Sequence, residues 1–179
     1  MAITRLTHDG YGMLETNRVD RDNNEAQCAV DKVTFPNGVE NGTIVAVDKA
    51  NGLVKLEGDL KGILANSERL YDQFNAGLKN YKVGPGEMAS VYFLRRGDTF
   101  TTNTVGFDGT SEFSGGESEV ITALKAAHTT PMYGDIDTET GVIKVTKTQG
   151  EAPFTVVKLT TMPDGQLGVK FIVSNIDKL

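Results

Sequence analysis

The sequence predicts a mainly β protein, a β-sandwich or small barrel of seven to nine strands with one short helix and an extended N-terminal arm. Three observations lead to this prediction. Many short segments alternate apolar and polar residues and are separated by turn residues. One phrase of strand, turn and strand occurs twice. A single segment carries both a helix-start and a helix-stop signal.

The N-terminal residues differ in composition from the rest of the chain. Residues 1–34 are polar, and the stretch "NRVDRDNNEAQ" follows neither the strand nor the helix period. We therefore assign residues 1–34 to an extended arm and residues 35–179 to a β-rich body. The few apolar residues of the arm are expected to dock it on a neighbouring surface, and they are Ile3, Leu6, Tyr11, Met13 and Leu14.

The repeated phrase reads "IVAVDKANGLVKL" in its first copy and "YGDIDTETGVIKV" in its second. In each copy an Asp stands four residues before a Gly, as Asp48 before Gly52 and Asp137 before Gly141. An Asp side chain can accept the backbone N–H groups of a turn, and Gly supplies the positive φ that closes a short hairpin. We interpret the repeat as two hairpins that share a turn, and not as two active sites.

Two further turns separate alternating segments. The stretch "MASVYFLRRGDTFTTN" is expected to turn at Gly97 and Asp98. Near the C-terminus, "FTVVKLTTMPDGQLGVKFIV" is expected to form a hairpin that turns at Asp164 and Gly165. Both turns place a Gly beside an Asp, so they are assigned to backbone geometry.

Helix signals are concentrated in "SGGESEVITALKAAHTTP". Ser114 precedes Glu117 by three residues, which is the spacing of a capping box, and Pro131 ends the pattern. One helix of about ten residues is predicted there. The Gly- and Ser-rich residues 106–118 are expected to form a loop or the junction of two lobes. The stretch "SERLYDQFNAGLKNY" fits a helical turn and an ordered loop equally well.

Composition and charge disfavour several functions. The net charge is −6, and the 18 Lys and Arg residues are dispersed, which disfavours a nucleic-acid partner. No window contains the roughly 18 consecutive apolar residues of a membrane span. Cys28 is the only cysteine, so an intrachain disulfide and an all-cysteine zinc site are excluded. The N-terminus lacks the pattern of a secretory signal, and we expect the chain to be made in the cytoplasm.

No set of residues indicates catalysis. His8 and His128 are far apart in the sequence, and His128 is expected to interact with the C-terminal end of the helix. Asp135, Asp137 and Glu139 offer oxygen ligands for Ca²⁺, but Asp137 is expected in the turn and the other copy has no equivalent trio. The sequence therefore predicts no catalytic, cofactor-binding or metal-binding residues, and no cofactor.

Residues 38–104 resemble a family of known proteins. The phrases that carry the resemblance are "NGTIVAVDKANGLVKL", "KGILANSE" and "RRGDTFTTN", in which strand patterns follow Gly turns. They are similar to phrases in the structural proteins of tailed-bacteriophage virions, above all the capsid decoration (cement) proteins. The resemblance implies a protein without enzymatic activity that binds the major capsid protein and reinforces the shell, often as an oligomer.

On this resemblance we expect a virion protein whose partners are the major capsid protein and sister subunits, with no nucleic acid and no membrane. The chain is longer than those relatives and adds a helix and C-terminal hairpins. The alternative is a ligand- or carbohydrate-binding β module on a head fibre or a tail structure that recognises the host.

Overall fold

The computed structural model describes residues 3–7, 11–19, 25–58, 60–66 and 81–179. The protein is mainly β, as predicted, with two sheets and one α-helix in this part of the chain. The strands are β1 (Thr4–Arg5), β2 (Leu14–Arg18), β3 (Glu25–Val30), β4 (Ile44–Asp48), β5 (Leu53–Lys55), β6 (Leu60–Leu64), β7 (Met88–Tyr92), β8 (Thr99–Thr102), β9 (Val105–Phe107), β10 (Tyr133–Ile136), β11 (Ile143–Thr146), β12 (Phe154–Thr161) and β13 (Leu167–Val173). The helix α1 is Glu117–Lys125, and a 3₁₀ turn covers Ile176–Lys178.

The described residues thus form thirteen strands, more than the seven to nine predicted. One reason is that a single predicted Thr-rich strand is divided into β8 and β9 by two residues. The other is that the polar N-terminal residues form strands.

The small barrel, which we define as β3 to β7, is closed in the order β3-β5-β4-β6-β7. Its only parallel pair is β3 with β5. Val45, Val47, Val54 and Val91 are buried in its interior. These side chains occupy alternate positions of short strands, which is why the strand period was visible in the sequence.

The large sheet, which we define as β1, β2 and β8 to β13, has the order β1-β9-β11-β10-β12-β13-β8-β2. Its only parallel pair is β9 with β11. Three aromatic rings pack at its centre: Phe100 stands edge-on to Phe154 at a centroid distance of 5.4 Å and lies 5.7 Å from Phe171. Edge-to-face packing of this kind stabilises a core beyond the burial of apolar area.

The helix has the predicted position and length, but its start differs from the prediction. The residue before α1 is Gly116, at a φ of +70°, and no side chain caps the helix. The capping box of Ser114 with Glu117 is therefore not formed. Glu117 instead accepts the backbone N–H of Thr7 at 2.8 Å and the Thr7 hydroxyl at 2.7 Å. The first turn of the helix is thus used to hold the N-terminal residues.

The assignment of residues 1–34 to an extended arm is corrected by the structure. β1 pairs with β9 and β2 pairs with β8 in the large sheet, while β3 belongs to the small barrel. These strands pair through backbone groups, and the polar side chains of β1 and β2 suit the edges of a sheet. An edge strand needs no apolar alternation, so its sequence showed no period.

The loop expected within residues 106–118 is present, whereas the connection between the two sheets lies elsewhere. The chain passes from the small barrel to the large sheet between Tyr92 and Thr99, whereas residues 106–118 lead from β9 to α1. Ile44 and Ile63 of the small barrel lie in one core with residues of the large sheet. The two sheets are therefore packed together through apolar side chains.

Two observations concern particular segments. The segment that fitted either a helical turn or an ordered loop is residues 67–81, and all of it except Tyr81 lies outside the described residues. Within the described ranges, no helix has both the length and the apolar character needed to cross a membrane.

Candidate interaction surface

Asp48 organises the turn of the first repeated hairpin. Its Oδ1 accepts the backbone N–H groups of Ala50 at 3.1 Å and Asn51 at 3.2 Å. Its Oδ2 accepts the Asn51 side-chain amide at 2.7 Å and Lys55 Nζ at 2.9 Å. Gly52, at a φ of +65°, donates its N–H to the Asp48 carbonyl at 2.8 Å. The hydrogen bond from the Asn51 side chain, followed by that from Lys55, lowers the pKa of Asp48 to about 2.

Asp137 occupies the same place in the second hairpin. Its Oδ2 accepts the backbone N–H of Thr140 at 3.0 Å and also the Thr140 hydroxyl. Gly141, at a φ of +73°, donates its N–H to the Asp137 carbonyl at 2.7 Å. The Gly141 carbonyl then accepts the N–H of Ile44 at 2.8 Å, so this turn is seated on the small barrel. Each of these carboxylates accepts hydrogen bonds from its own turn.

The two remaining predicted turns also use Asp to bind the backbone. Asp98 Oδ2 accepts the N–H three residues before it at 2.7 Å, beside Gly97 at a φ of +92°. Asp164 Oδ1 accepts the N–H two residues after it at 3.1 Å, beside Gly165 at a φ of +89°. Of the eight residues singled out in the sequence, Asp48 is the last residue of β4, and the other seven lie in the turns or directly beside them.

The apolar residues of the N-terminal segment contact the chain itself. Leu6 and Leu14 pack against the core of the large sheet. A Cβ on Gly106 would stand 2.9 Å from Ile3 Cδ1, so Ile3 lies directly against β9. The neighbouring surface on which Ile3, Leu6 and Leu14 dock is therefore β9 and the core of the large sheet, within the same chain.

Tyr11 and Met13 are held through a buried Asn that the sequence analysis did not single out. Asn103 is 3% exposed, and its Oδ1 accepts the N–H of Met13 at 2.6 Å. Its Nδ2 donates to the Tyr11 carbonyl at 2.9 Å and to Gln166 Oε1 at 3.2 Å. The Tyr11 ring also stands edge-on to Tyr81 at 6.4 Å. These two residues are thus fixed within the chain.

A second buried Asn joins the small barrel to the large sheet. Asn41 Nδ2 donates to the Asn66 carbonyl at 3.0 Å, and Asn41 Oδ1 accepts the Asn66 N–H at 2.8 Å. The Asn41 carbonyl accepts the hydroxyl of Thr104 at 2.6 Å. A Cβ on Gly12 would stand 2.7 Å from that hydroxyl oxygen. No sequence period marks such residues, because their role depends on contacts distant in the chain.

Four acidic side chains around one cavity of the large sheet have partners of their own. A cavity of about 270 Å³ is lined by Asp108, Glu112, Asp135 and Glu151. The hydroxyl groups of Ser111 and Thr110 hold the pKa of Asp108 well below its ordinary value. Glu112 accepts the hydroxyl of Thr146, whereas Asp135 and Glu151 form ion pairs with Lys144 and Lys178 respectively. In the described part of the chain, no three His, Cys, Asp or Glu side chains are grouped to hold a metal ion.

The histidines give no catalytic arrangement in the described residues. His128 follows α1, and its Nδ1 lies 3.2 Å from the carbonyl oxygen of Lys125, in the last turn of the helix, as expected for a residue at the helix end. His8 lies outside the described residues.

Exposed apolar side chains mark a surface on the small barrel. Ala29 pairs with both Leu53 and Met88, so the three form a row across β5, β3 and β7 on the outer face. Met88 is 58% exposed, and Val33, in the turn after β3, is 87% exposed. We call these four residues the barrel patch. They are flanked on β3 by the exposed polar side chain of Gln27, and an apolar centre with a polar rim is typical of a protein interface.

The sequence analysis missed the barrel patch. One face of β7 is buried in the barrel, where Ala89 and Val91 lie. The other face carries Met88 outward. The signal was weak, because a Met at the first position of a strand does not reveal which face it occupies.

Comparison with known proteins finds no matching family model, no matching curated protein and no matching solved structure. The fold and the surface chemistry are therefore the basis for a functional proposal.

Proposed function

We propose that the protein is a non-enzymatic virion structural protein that binds the outside of a tailed-phage capsid and stabilises the shell. The barrel patch is its capsid-facing surface in this proposal. The single observation that carries the proposal is the position of the patch. Its Met88 and Leu53 lie within residues 38–104, the part of the sequence that resembles decoration proteins, and they stand on either side of Ala29 in an apolar row in which Met88 is 58% exposed.

A stiff body supports the same function. The Asp–Gly turns are hydrogen-bonded by their own carboxylates, and the N-terminal segment is fixed by Asn103. A protein that reinforces a shell must bind without large rearrangement, since ordering a flexible chain on binding costs about 1–2 kcal/mol for each residue. Met is also a side chain that adapts to the shape of a partner.

The test compares charged substitutions inside and outside the patch. Met88→Lys places a charge at the centre of the proposed interface, and we expect retention on capsids of the encoding phage to fall about tenfold, equivalent to about 1.4 kcal/mol. Val157→Lys is the matched control, because Val157 is an exposed apolar residue of the large sheet, 40% exposed. The measurement is co-sedimentation with purified capsids over a range of protein concentrations.

Three results would contradict the proposal. They are failure of the wild-type protein to sediment with capsids, equal loss of retention in the two variants, and binding of the isolated protein to glycans with no capsid present. The last result would favour the carbohydrate-binding module.

A further inference from the structure

The two sheets share one strand connectivity that extends well beyond the repeated hairpins. In the small barrel, β3 is parallel to β5, and the order continues through β4, β6 and β7. In the large sheet, β9 is parallel to β11, and the order continues through β10, β12 and β13. Val54 and Ile143 match in the repeat, and they pair with Val30 and Val105 respectively.

The registers of the two sheets agree residue by residue. Ile44 and Tyr133 occupy matching positions of the repeat. Following the pairing partners of these two residues from strand to strand gives three more pairs of equivalent positions: Ile63 with Thr155, Tyr92 with Ile172, and Glu25 with Thr99. The first part of β3 therefore corresponds to β8, and its last part corresponds to β9. Residues 25–28 of the small barrel are equivalent to residues 99–102 of the large sheet.

The two sheets differ at this equivalent strand. β8 pairs with β13 on one edge and with β2 on the other, where Leu14 lies opposite Thr102 and Arg18 opposite Thr99. On β3, residues 25–28 pair with β7 on one edge, and no described strand pairs with their other edge. β5 reaches only as far as Ala29, because the chain turns away at residues 49–52.

The backbone groups of β3 point to this open edge. Val30 donates its N–H to Glu87, on the β7 side, at 2.9 Å. Ala29 donates its N–H to Gly52, on the β5 side, at 3.2 Å. Successive residues of a strand direct their N–H and C=O groups to opposite edges. Gln27 therefore directs both groups toward the open edge, as Ala29 does two residues later.

The inward side chains beside the open edge of β3 are also less buried than the equivalent side chains of β8. Phe100 and Thr102 are 0% exposed on β8, where β2 covers the edge. Their equivalents Ala26 and Cys28 are only partly buried, although they face the interior of the small barrel. Among the described residues, the small barrel thus has no strand that covers this edge as β2 covers the edge of the large sheet.

We propose that residues 25–28 of β3 form a docking edge for an extended strand of a partner protein, which adds antiparallel to β3 as β2 adds to β8. Strand addition of this kind gives affinity through backbone hydrogen bonds and specificity through alternate side chains. The partner strand carries an apolar residue opposite Cys28, as Leu14 lies opposite Thr102. It carries a Lys or Arg opposite the exposed Glu25, at the register position that Arg18 has opposite Thr99.

The docking edge is continuous with the barrel patch, because Ala29 follows Cys28 directly on β3. One partner can therefore engage both. The docking geometry stands on the strand pairings alone, while naming the major capsid protein as the source of the strand rests on the proposed function.

The test uses a synthetic peptide of residues 11–19, "YGMLETNRV", because this segment already occupies the equivalent edge of the large sheet. The peptide is titrated into the full chain, and the rate of alkylation of Cys28 by N-ethylmaleimide is measured. At a peptide concentration ten times the dissociation constant, about one edge in eleven is free, so we expect alkylation to slow about tenfold. Amide chemical shifts are expected to change at residues 25–28.

Two variants make the test specific. Gln27→Pro removes a backbone N–H that faces the open edge, a position at which Pro is tolerated, and it is expected to abolish protection of Cys28. Glu25→Lys is expected to weaken binding of the peptide, and a peptide carrying Arg18→Glu is expected to restore it. The charge exchange remains informative if Gln27→Pro fails to fold.

The proposal is overturned if Cys28 is not protected, or if Glu25→Lys leaves the affinity of both peptides unchanged. It is also overturned if the shifts occur at residues 99–102, since the peptide would then be replacing β2. These measurements need no capsid, so a protein that binds the peptide and ignores capsids would contradict the proposed function and leave the docking edge intact.

Discussion

Asp48 shows how a surface carboxylate stabilises a hairpin. It receives hydrogen bonds from two backbone N–H groups, one amide and one ammonium group. All of these donors favour the ionised form, which is the reason for its low pKa. An Asp in this position is typical of a repeated hairpin turn. With so low a pKa it is a poor candidate for a general acid or base near neutral pH.

The pKa of Asp48 gives a pH dependence. Since its folded-state pKa is about 2 and its ordinary value is 3.8, the stabilising contribution is complete above about pH 4 and is lost as the pH falls toward 2. In Asp48→Asn this contribution is absent at every pH. We expect the melting temperature of the variant to lie below that of the wild type at pH 6, and the difference to shrink by pH 2. A difference that is constant from pH 6 to pH 2 would contradict the assignment.

Gly52 and Gly141 form a matched pair for substitution. Both have positive φ, but a Cβ on Gly52 would meet nothing within 4 Å, whereas a Cβ on Gly141 would collide with the Ile44 carbonyl oxygen. Gly52→Ala is expected to lower the free energy of unfolding by about 1–2 kcal/mol, because a residue with a Cβ is strained in the left-handed conformation. Gly141→Ala is expected to cost about 1–3 kcal/mol more, from steric overlap. Urea unfolding measures both, and equal losses would show that the second turn is not seated on the small barrel.

At the scale of elements, the structure depends on how β2 is held. Asn103→Ala would leave the Met13 N–H and the Tyr11 carbonyl without their partner, and each unsatisfied buried group costs about 1–3 kcal/mol. We expect faster hydrogen exchange at residues 14–18 together with a lower free energy of unfolding. Gln166→Ala is the control, because it removes the third hydrogen bond of Asn103 and a side-chain hydrogen bond to Asp164 but leaves the contacts of Asn103 with Met13 and Tyr11. It is expected to leave exchange at residues 14–18 nearly unchanged.

The sequence was sufficient for elements whose pattern is local. The four turns carry an Asp beside or near a Gly, and α1 carries apolar residues at helical spacing before Pro131, so both kinds of element were predictable. β1, β2 and the open edge of β3 were not. Their positions follow from pairing with residues far along the chain, as Thr4 pairs with Phe107, and polar edge strands carry no period.

The candidate site illustrates the same limit. Asp48 and Asp137 were recognised because turn chemistry is local. The barrel patch requires knowledge of which residues of three strands are neighbours. Ala29, Leu53 and Met88 are distant in sequence, and they become one row only through strand pairing.

For the whole molecule, the decisive feature is the core that both sheets share. Ile63 is fully buried between them, whereas Val54 is buried inside the small barrel alone. Ile63→Ala is expected to cost about 2–5 kcal/mol and to lower the temperature of a single calorimetric transition. Val54→Ala is expected to lower that same transition. Two separable transitions in either variant would show that the sheets unfold independently.

The pairing of β1 with β9 and of β2 with β8 determines the order in which the strands can fold as the chain is synthesised. The small barrel has all of its strands once Tyr92 has left the ribosome, whereas residues 3–18 must wait for residues 99–107 to be synthesised. During translation, the first strands of the nascent polypeptide are thus the last to find their places. Chains halted between Tyr92 and Thr99 would present those strands to proteases and chaperones.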